Sequence, residues 1–242
     1  MQDLRPSCRV FIAELLKSDF YLKEDEDLFI ITPTCAICGK FFGIAKIKVR
    51  GGRNDLFKLD IMDYTASIEG YTRKSLPEAG ILAFLGKLQV YNKNVTILVE
   101  EVRIAGEIER DIYTISTARR TLERIERMYR LLKVKEEGWH GGKSEWIKRA
   151  FEHYSINEER LEGIRNKVIE VVKDIEERYS RRVEEMVIEE LKRGKREIEM
   201  EELKRILRGK GIRGEWVEEI IGEIIEEGRC YEPEVGKIKI VE

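Results

Sequence analysis

The stretch 81–104 constrains the fold more than any other part of the chain. Two β-rich runs, 81–91 and 95–104, flank the polar loop Asn92-Lys93-Asn94, the local signal for an antiparallel hairpin. Successive side chains of a strand leave opposite faces. Phe84, Gly86, Leu88 and Val90 therefore share one side, and Leu85, Lys87, Gln89 and Tyr91 the other. One side packs, while the other shows a cation, an amide and an aromatic ring. Such a strand suits single-stranded nucleic acid, since charge follows the backbone and rings stack on bases. Taken alone, the hairpin fits an ordinary half-buried strand with solvated polar positions better.

The upstream sequence supplies the context. Residues 41–50 alternate, with Ala45, Ile47 and Val49 facing one way and Ile44, Lys46, Lys48 and Arg50 the other. Gly51-Gly52-Arg53-Asn54 predicts a turn or flexible loop. A strand over 56–62 sets Phe57, Leu59 and Ile61 opposite Lys58 and Asp60, and another over 65–71 follows a turn near Asp63-Tyr64. Ser75-Leu76-Pro77-Glu78-Ala79 predicts a capped helical turn with Pro77 near its start. Strand, Gly-rich loop, strand, strand, short helix and long hairpin make the order of a five-stranded OB barrel, whose face and two loops bind oligonucleotides. The candidate nucleic-acid-binding residues are Lys46, Lys48, Arg50, Arg53, Lys58, Lys87, Gln89, Tyr91 and Lys93. Tyr91 is the first choice for stacking, with Tyr64 and Tyr71 behind it.

At 242 residues the chain has room for more than one domain. Charged residues make up 38%, rich in Glu and Lys, a bias resembling hyperthermophile proteins. The net charge is only −2, so no global field draws the protein onto nucleic acid, and binding must come from a local patch. No apolar run reaches membrane-spanning length, and the start of the chain lacks a signal-peptide core. The expectation is a soluble protein of a prokaryotic cytoplasm, associated with the nucleoid and not with a membrane.

Cys35 and Cys38 form one Cys-x-x-Cys, with Cys8 and Cys230 far away. A structural zinc site commonly uses two close pairs of ligands. No second pair exists, and His140 and His153 lie in another region, so no metal is expected. Cys35 and Cys38 read as small buried residues, or as a disulfide in an oxidising cytosol. Phosphate-loop and His-Glu-x-x-His patterns are absent, no Gly-x-Gly-x-x-Gly follows a strand, and two histidines leave little for acid–base catalysis. The chain is expected to be neither an enzyme nor a cofactor carrier.

Beyond about residue 112 the texture turns helical. Thr114, Ser116 and Thr117 are cap candidates for a helix over 114–133. Ala118, Leu122, Ile125, Tyr129 and Leu132 form its apolar seam, placed to meet partner helices or to fold back on the barrel. Residues 134–180 read as a linker followed by helices from 144 to 154 and 157 to 179. Helices at 181–193, 199–208 and 214–227, then a terminal β element, describe a winged helix over 181–242. A duplex reader would place the third helix in the major groove. Here that helix shows Glu215, Glu218, Glu219, Glu223, Glu226 and Glu227, which phosphates repel. Glu215, Trp216, Glu218 and Glu219 are therefore candidates for docking a protein. A winged-helix transcription regulator on duplex DNA is the alternative reading. The expected fold is thus multidomain β plus α: a barrel over 1–113, an assembly helix over 114–133, a helical middle over 134–180 and the winged helix.

Several motifs resemble those of archaeal replication protein A subunits, the 32 kDa-type group with a barrel and a winged helix. Arg5-Pro-Ser-Cys-Arg-Val-Phe-Ile-Ala-Glu14 is similar to the family's opening run, and Thr32-Pro33-Thr34 to its Thr-Pro-x-Gly segment, with Cys35 where the family has Gly. Phe84-Leu-Gly-Lys-Leu-x-x-Tyr91 resembles its fourth strand, and Thr117-Ala118-x-Arg120-Thr121-Leu122-x-Arg124 its post-barrel helix. Gly228-x-x-Tyr231-Glu232-Pro233 to Lys239 is similar to its wing. The resemblance implies a non-enzymatic single-stranded DNA binder that assembles with other replication protein A subunits, as a heterotrimer. It also implies a winged helix that recruits replication or repair proteins.

Overall fold

The computed structural model describes residues 7–24, 27–53, 55–92, 94–136, 145–193, 197–210, 212 and 214–241. The chain divides into two compact units, residues 1–172 and 173–242. In the first, β1 (Ser7–Cys8) and α1 (Ile12–Leu16) precede a small antiparallel meander of β2 (Phe20–Glu24), β3 (Asp27–Ile31) and β4 (Ile37–Cys38). Five longer strands follow: β5 (Lys40–Arg53), β6 (Leu56–Met62), β7 (Ser67–Thr72), β8 (Ala79–Tyr91) and β9 (Asn94–Ile104). They run in the order β5-β6-β7-β9-β8, and β8 returns to pair with β5. Every pairing in this ring is antiparallel except β7 with β9. The result is a closed OB-like barrel, and closure removes the exposed edges that an open sheet would present.

Alternation fills the interior. Ala45, Ile47, Leu59, Ile61, Ile68, Leu82, Phe84, Leu88, Ile97 and Val99 are buried in one cluster. Packing is closest beside Gly70, where a Cβ would lie 2.5 Å from Ile61 Cδ1. Two register breaks bend the long strands. Val49 opposes Leu59 and Gly51 opposes Lys58, leaving Arg50 as the extra residue. Leu85 opposes Glu101 and Gly86 opposes Val99, which leaves Glu100 extra on β9. Bulges re-aim the residues they contain, and both of these turn a charge onto the barrel surface.

Several expectations change. Residues 75–79 form no helical turn; 75–78 are irregular and Ala79 opens β8, with the Val49 N–H of β5 donating to Glu78 O at 2.9 Å and Leu76 packed on the core. The meander is an addition to the barrel within 1–113. Helix α2 (Glu107–Glu136) starts seven residues before the expected 114, so the boundary at 113/114 falls inside it. Thr114 and Thr117 are interior residues, not caps. Their hydroxyls donate to Arg110 O and Tyr113 O, each at 2.8 Å, and Thr121 donates to Thr117 O at 3.0 Å.

Helices α3 (Glu145–His153) and α4 (Glu158–Arg193) occupy the middle of the chain. The break expected near residue 180 is absent, because residues 164–193 contain no Gly or Pro to stop the helix. In the first unit a second apolar cluster joins Phe20 and Ile31 of the meander to Ile125 and Met128 of α2, and to Phe151, Tyr154 and Leu161. The Tyr154 hydroxyl sits at its centre. It accepts from the Asp19 and Phe20 N–H groups, both at 3.1 Å, and donates to Ile31 O at 2.6 Å.

In the second unit, residues 173–193 of α4 pack with α5 (Met200–Gly209) and α6 (Gly214–Glu226). A three-stranded antiparallel sheet accompanies them, ordered β10 (Glu197–Glu199), β12 (Lys237–Ile240), β11 (Cys230–Tyr231). Val183, Val187, Leu191, Leu203, Leu207, Val217, Ile221 and Ile238 form the core. The strand β10 was not anticipated from the sequence.

Candidate nucleic-acid interface

Barrel closure brings residues from distant strands onto one row. Lys58 of β6 lies opposite Tyr71 of β7, Tyr71 opposite Leu98 of β9, and Leu98 opposite Lys87 of β8. Lys87 in turn lies opposite Lys40 of β5. Their strand neighbours Leu59, Gly70, Ile97 and Leu88 point inward and are buried, so the row itself faces outward. Beside it, Lys48 lies opposite Asp60, and Lys46 opposite Met62. Lys46 and Lys48 are exposed and form no ion pair among the described residues. A ring and an aliphatic side chain flanked by cations can hold a base against its face and phosphates at its rim.

Three carboxylates share this surface. The Lys58 ammonium and the Tyr71 hydroxyl both donate to Glu69. Arg50 reaches Asp60 at 2.5 Å, and Glu100 lies 3.3 Å from Lys87 and 3.5 Å from Lys40. The hydrogen bond from Lys58, then that from Tyr71, holds the Glu69 carboxyl below the usual range. The same contact with Glu69 pushes the Lys58 ammonium and the Tyr71 phenol upward.

The structure thus unites Lys46, Lys48, Arg50, Lys58 and Lys87 on the outer barrel. Gln89 is exposed opposite Thr96, and Tyr91 is 73% exposed at the hairpin end, opposite Asn94. Lys93 and the Arg53 side chain lie outside the described residues. Tyr64 is engaged elsewhere: its hydroxyl bonds Asp111 and the Arg110 guanidinium caps its ring at 4.3 Å. Sequence reasoning missed Leu98 and Lys40 and ranked Tyr71 below Tyr91. The parallel β7–β9 pairing that aligns them is a long-range contact that alternation alone does not reveal.

Helix α2 has two apolar faces. Ala118 and Ile125 of the anticipated seam are buried, Ile125 against the meander and α3, while Leu122, Tyr129 and Leu132 are half-buried. The Tyr129 hydroxyl donates to Glu162 at 2.9 Å. The chain's own elements thus pack against Ile125, Tyr129 and Leu132, the folded-back arrangement, along that part of the seam. A different stripe is open: Ile108, Ile112 and Ile115, spaced four and three, are 42%, 64% and 43% exposed, with Ile104 beside them at 79%. Placing the helix start at 114 hid it.

The motif residues of the opening run, the Thr-Pro turn and α2 meet in one buried network. Glu14, only 6% exposed, accepts from the Thr34 hydroxyl and pairs with Arg124 at 3.2 Å. Arg124 also donates to Thr34 Oγ1 at 2.8 Å, Thr121 Oγ1 at 2.9 Å and Arg9 O at 3.4 Å. Their work is structural. Cys35, where the resemblance expects Gly, has φ 58, the left-handed conformation that Gly adopts without strain. Burial, then Glu14, pushes its thiol up to about 12. The disulfide joins Cys38 to Cys8 and not to Cys35, because β1 lies beside β5 and brings their Cα atoms to 5.1 Å. Among the described residues, no group of three His, Cys, Asp or Glu side chains could hold a metal ion. No helix of the described residues is long and apolar enough to cross a membrane.

On α6, Glu215 and Glu219 are exposed. Glu218 is engaged by Lys204, which also bonds Glu201 at 2.7 Å. Trp216 is half-buried, packed on the unit's core and T-shaped to Tyr179, with ring centroids 5.2 Å apart. Two of the four docking candidates are therefore committed within the unit.

No protein-family model matches the sequence, and no curated protein matches it. Among solved structures, a chain of a replication protein A heterotrimer bound to single-stranded DNA aligns with a TM-score of 0.42 and 14% identity, over 50% of this chain and 98% of that one. A chain of the S. pombe Stn1–Ten1 complex aligns with a TM-score of 0.39 and 10% identity, over 55% of this chain and 98% of that one. The second OB-fold domain of replication protein A from Methanococcus maripaludis aligns with a TM-score of 0.20 and 19% identity, over 28% and 84%.

Proposed function

We propose that the chain is a single-stranded DNA-binding subunit of a replication protein A-type complex, of the archaeal 32 kDa type, and not an enzyme. The observation that carries this reading is the outward row Lys58–Tyr71–Leu98–Lys87, with Lys46 and Lys48 beside it, on a closed OB-like barrel. It combines a stacking surface with backbone-tracking cations, the pairing that single-strand binders use.

Assembly through α2 remains part of the proposal, moved to its open stripe. Ile108, Ile112 and Ile115 are where a partner helix gains buried apolar area, since the other face is already covered. The second unit is read as a winged helix, on the strength of its three helices and terminal hairpin. Its acidic α6 face favours a basic protein partner of replication or repair over a duplex. The test is competition. The full chain should prefer labelled single strands over the matching duplex, and preference for duplex would favour the transcription-regulator reading.

A further inference from the structure

We propose that Glu69 is a positioning residue that restrains the nucleic-acid face, holding Lys58 and Tyr71 together until a phosphate takes its place. The inference rests on the single-strand reading above and concerns the regulation of that same surface. Glu69 lies between the two groups that such a ligand needs, accepting from the Lys58 ammonium with one carboxylate oxygen and from the Tyr71 hydroxyl with the other. Cross-strand register sets this up, since Lys58 opposes Tyr71 and Asp60 opposes Glu69 on the same outward face. The pattern recurs. Asp60 holds Arg50, and Glu100 holds Lys87 and Lys40, so these two carboxylates, like Glu69, each engage at least one cation of this face.

The consequence is electrostatic. A lysine that meets a phosphate from solvent releases that phosphate's condensed counterion. Lys58 starts on Glu69, so its transfer to a phosphate strips the carboxylate, which then recruits a cation from solution. Uptake on one side offsets release on the other, and the salt dependence of binding falls below what the exposed cations would give.

Glu69→Gln separates these effects, because the amide oxygen still accepts from Tyr71 while the charge is gone. Fluorescence anisotropy of labelled oligo(dT) with the full chain, across a salt series, reads the outcome. Glu69→Gln should tighten binding about two- to fivefold at low salt, the range of an exposed ion pair. It should also steepen the salt slope by about 0.7, one further phosphate on a single strand. Wild-type binding with an unchanged or weakened Glu69→Gln variant overturns this proposal while leaving the single-strand reading intact. Absence of binding by both proteins overturns the two together. Glu69→Asp keeps the charge and should stay near wild type; a gain in that variant equal to the Gln variant's would also overturn the proposal.

Discussion

Replacing Arg124 by Met should be the most damaging single change on α2. The guanidinium bonds Glu14, Thr34, Thr121 and the Arg9 carbonyl, and the Glu14 side chain it neutralises is 4% exposed. Methionine keeps the aliphatic volume, so little cavity forms, but the carboxylate is left buried with only the Thr34 hydroxyl. Breaking a buried pair from one side costs about 3–5 kcal/mol. Native-state hydrogen exchange on the full chain, read from barrel peptides within 40–104, measures the opening free energy of that unit alone. The double variant Glu14→Leu/Arg124→Met removes both charges and should recover most of the loss. A single-variant loss below about 1 kcal/mol, the range of a surface pair, would refute the view that this network locks α2 onto the first segment.

Ile112→Glu lies on an exposed position, so thermal stability should move by no more than about 0.5 kcal/mol, while subunit assembly measured by co-purification is lost. Tyr154→Phe leaves the Asp19 and Phe20 amides without their shared acceptor and should cost about 1–3 kcal/mol in chemical denaturation. Burial pushes the Tyr154 phenol from 10.0 to about 12, so unfolding releases its proton in that window. Its contribution is full below pH 10 and is lost as pH rises to about 12; a stability–pH curve should flatten there in the Phe variant. Cys35, with its thiol raised to about 12 and half-buried, should resist alkylation at pH 8 until the protein unfolds.

The barrel was legible because its information is local. Alternation in 41–50, 56–62 and 81–104, with Gly-rich and polar turns, specifies strands whose order leaves few topologies. The helices of the second unit were legible for the same reason. What escaped were features set by distant contacts. The meander over 20–38 has short strands with no clean period, since its two faces pack on different apolar clusters: Tyr21 on one, Phe20 and Leu22 on the other. The start of α2 was misjudged because Thr114 and Thr117 are common cap residues, yet here they bond carbonyls within the helix. That start left out most of the exposed stripe of Ile108, Ile112 and Ile115. Lys46, Lys48, Lys58 and Lys87 were found from alternation, whereas Tyr71 and Leu98 needed the parallel β7–β9 register. The Cys-x-x-Cys misled, because the partner of Cys38 comes from β1, thirty residues upstream.

The central claim is that the barrel's outer row binds single-stranded DNA, and anisotropy with oligo(dT) over a salt series tests it most directly. Lys46→Glu/Lys48→Glu should weaken binding and make the salt slope shallower by about 1.4, two phosphates' worth on a single strand. Tyr71→Ala should cost about 1–3 kcal/mol with the slope unchanged, as loss of stacking requires. Wild-type affinity and slope retained in both variants would contradict the account and place any nucleic-acid site away from this face.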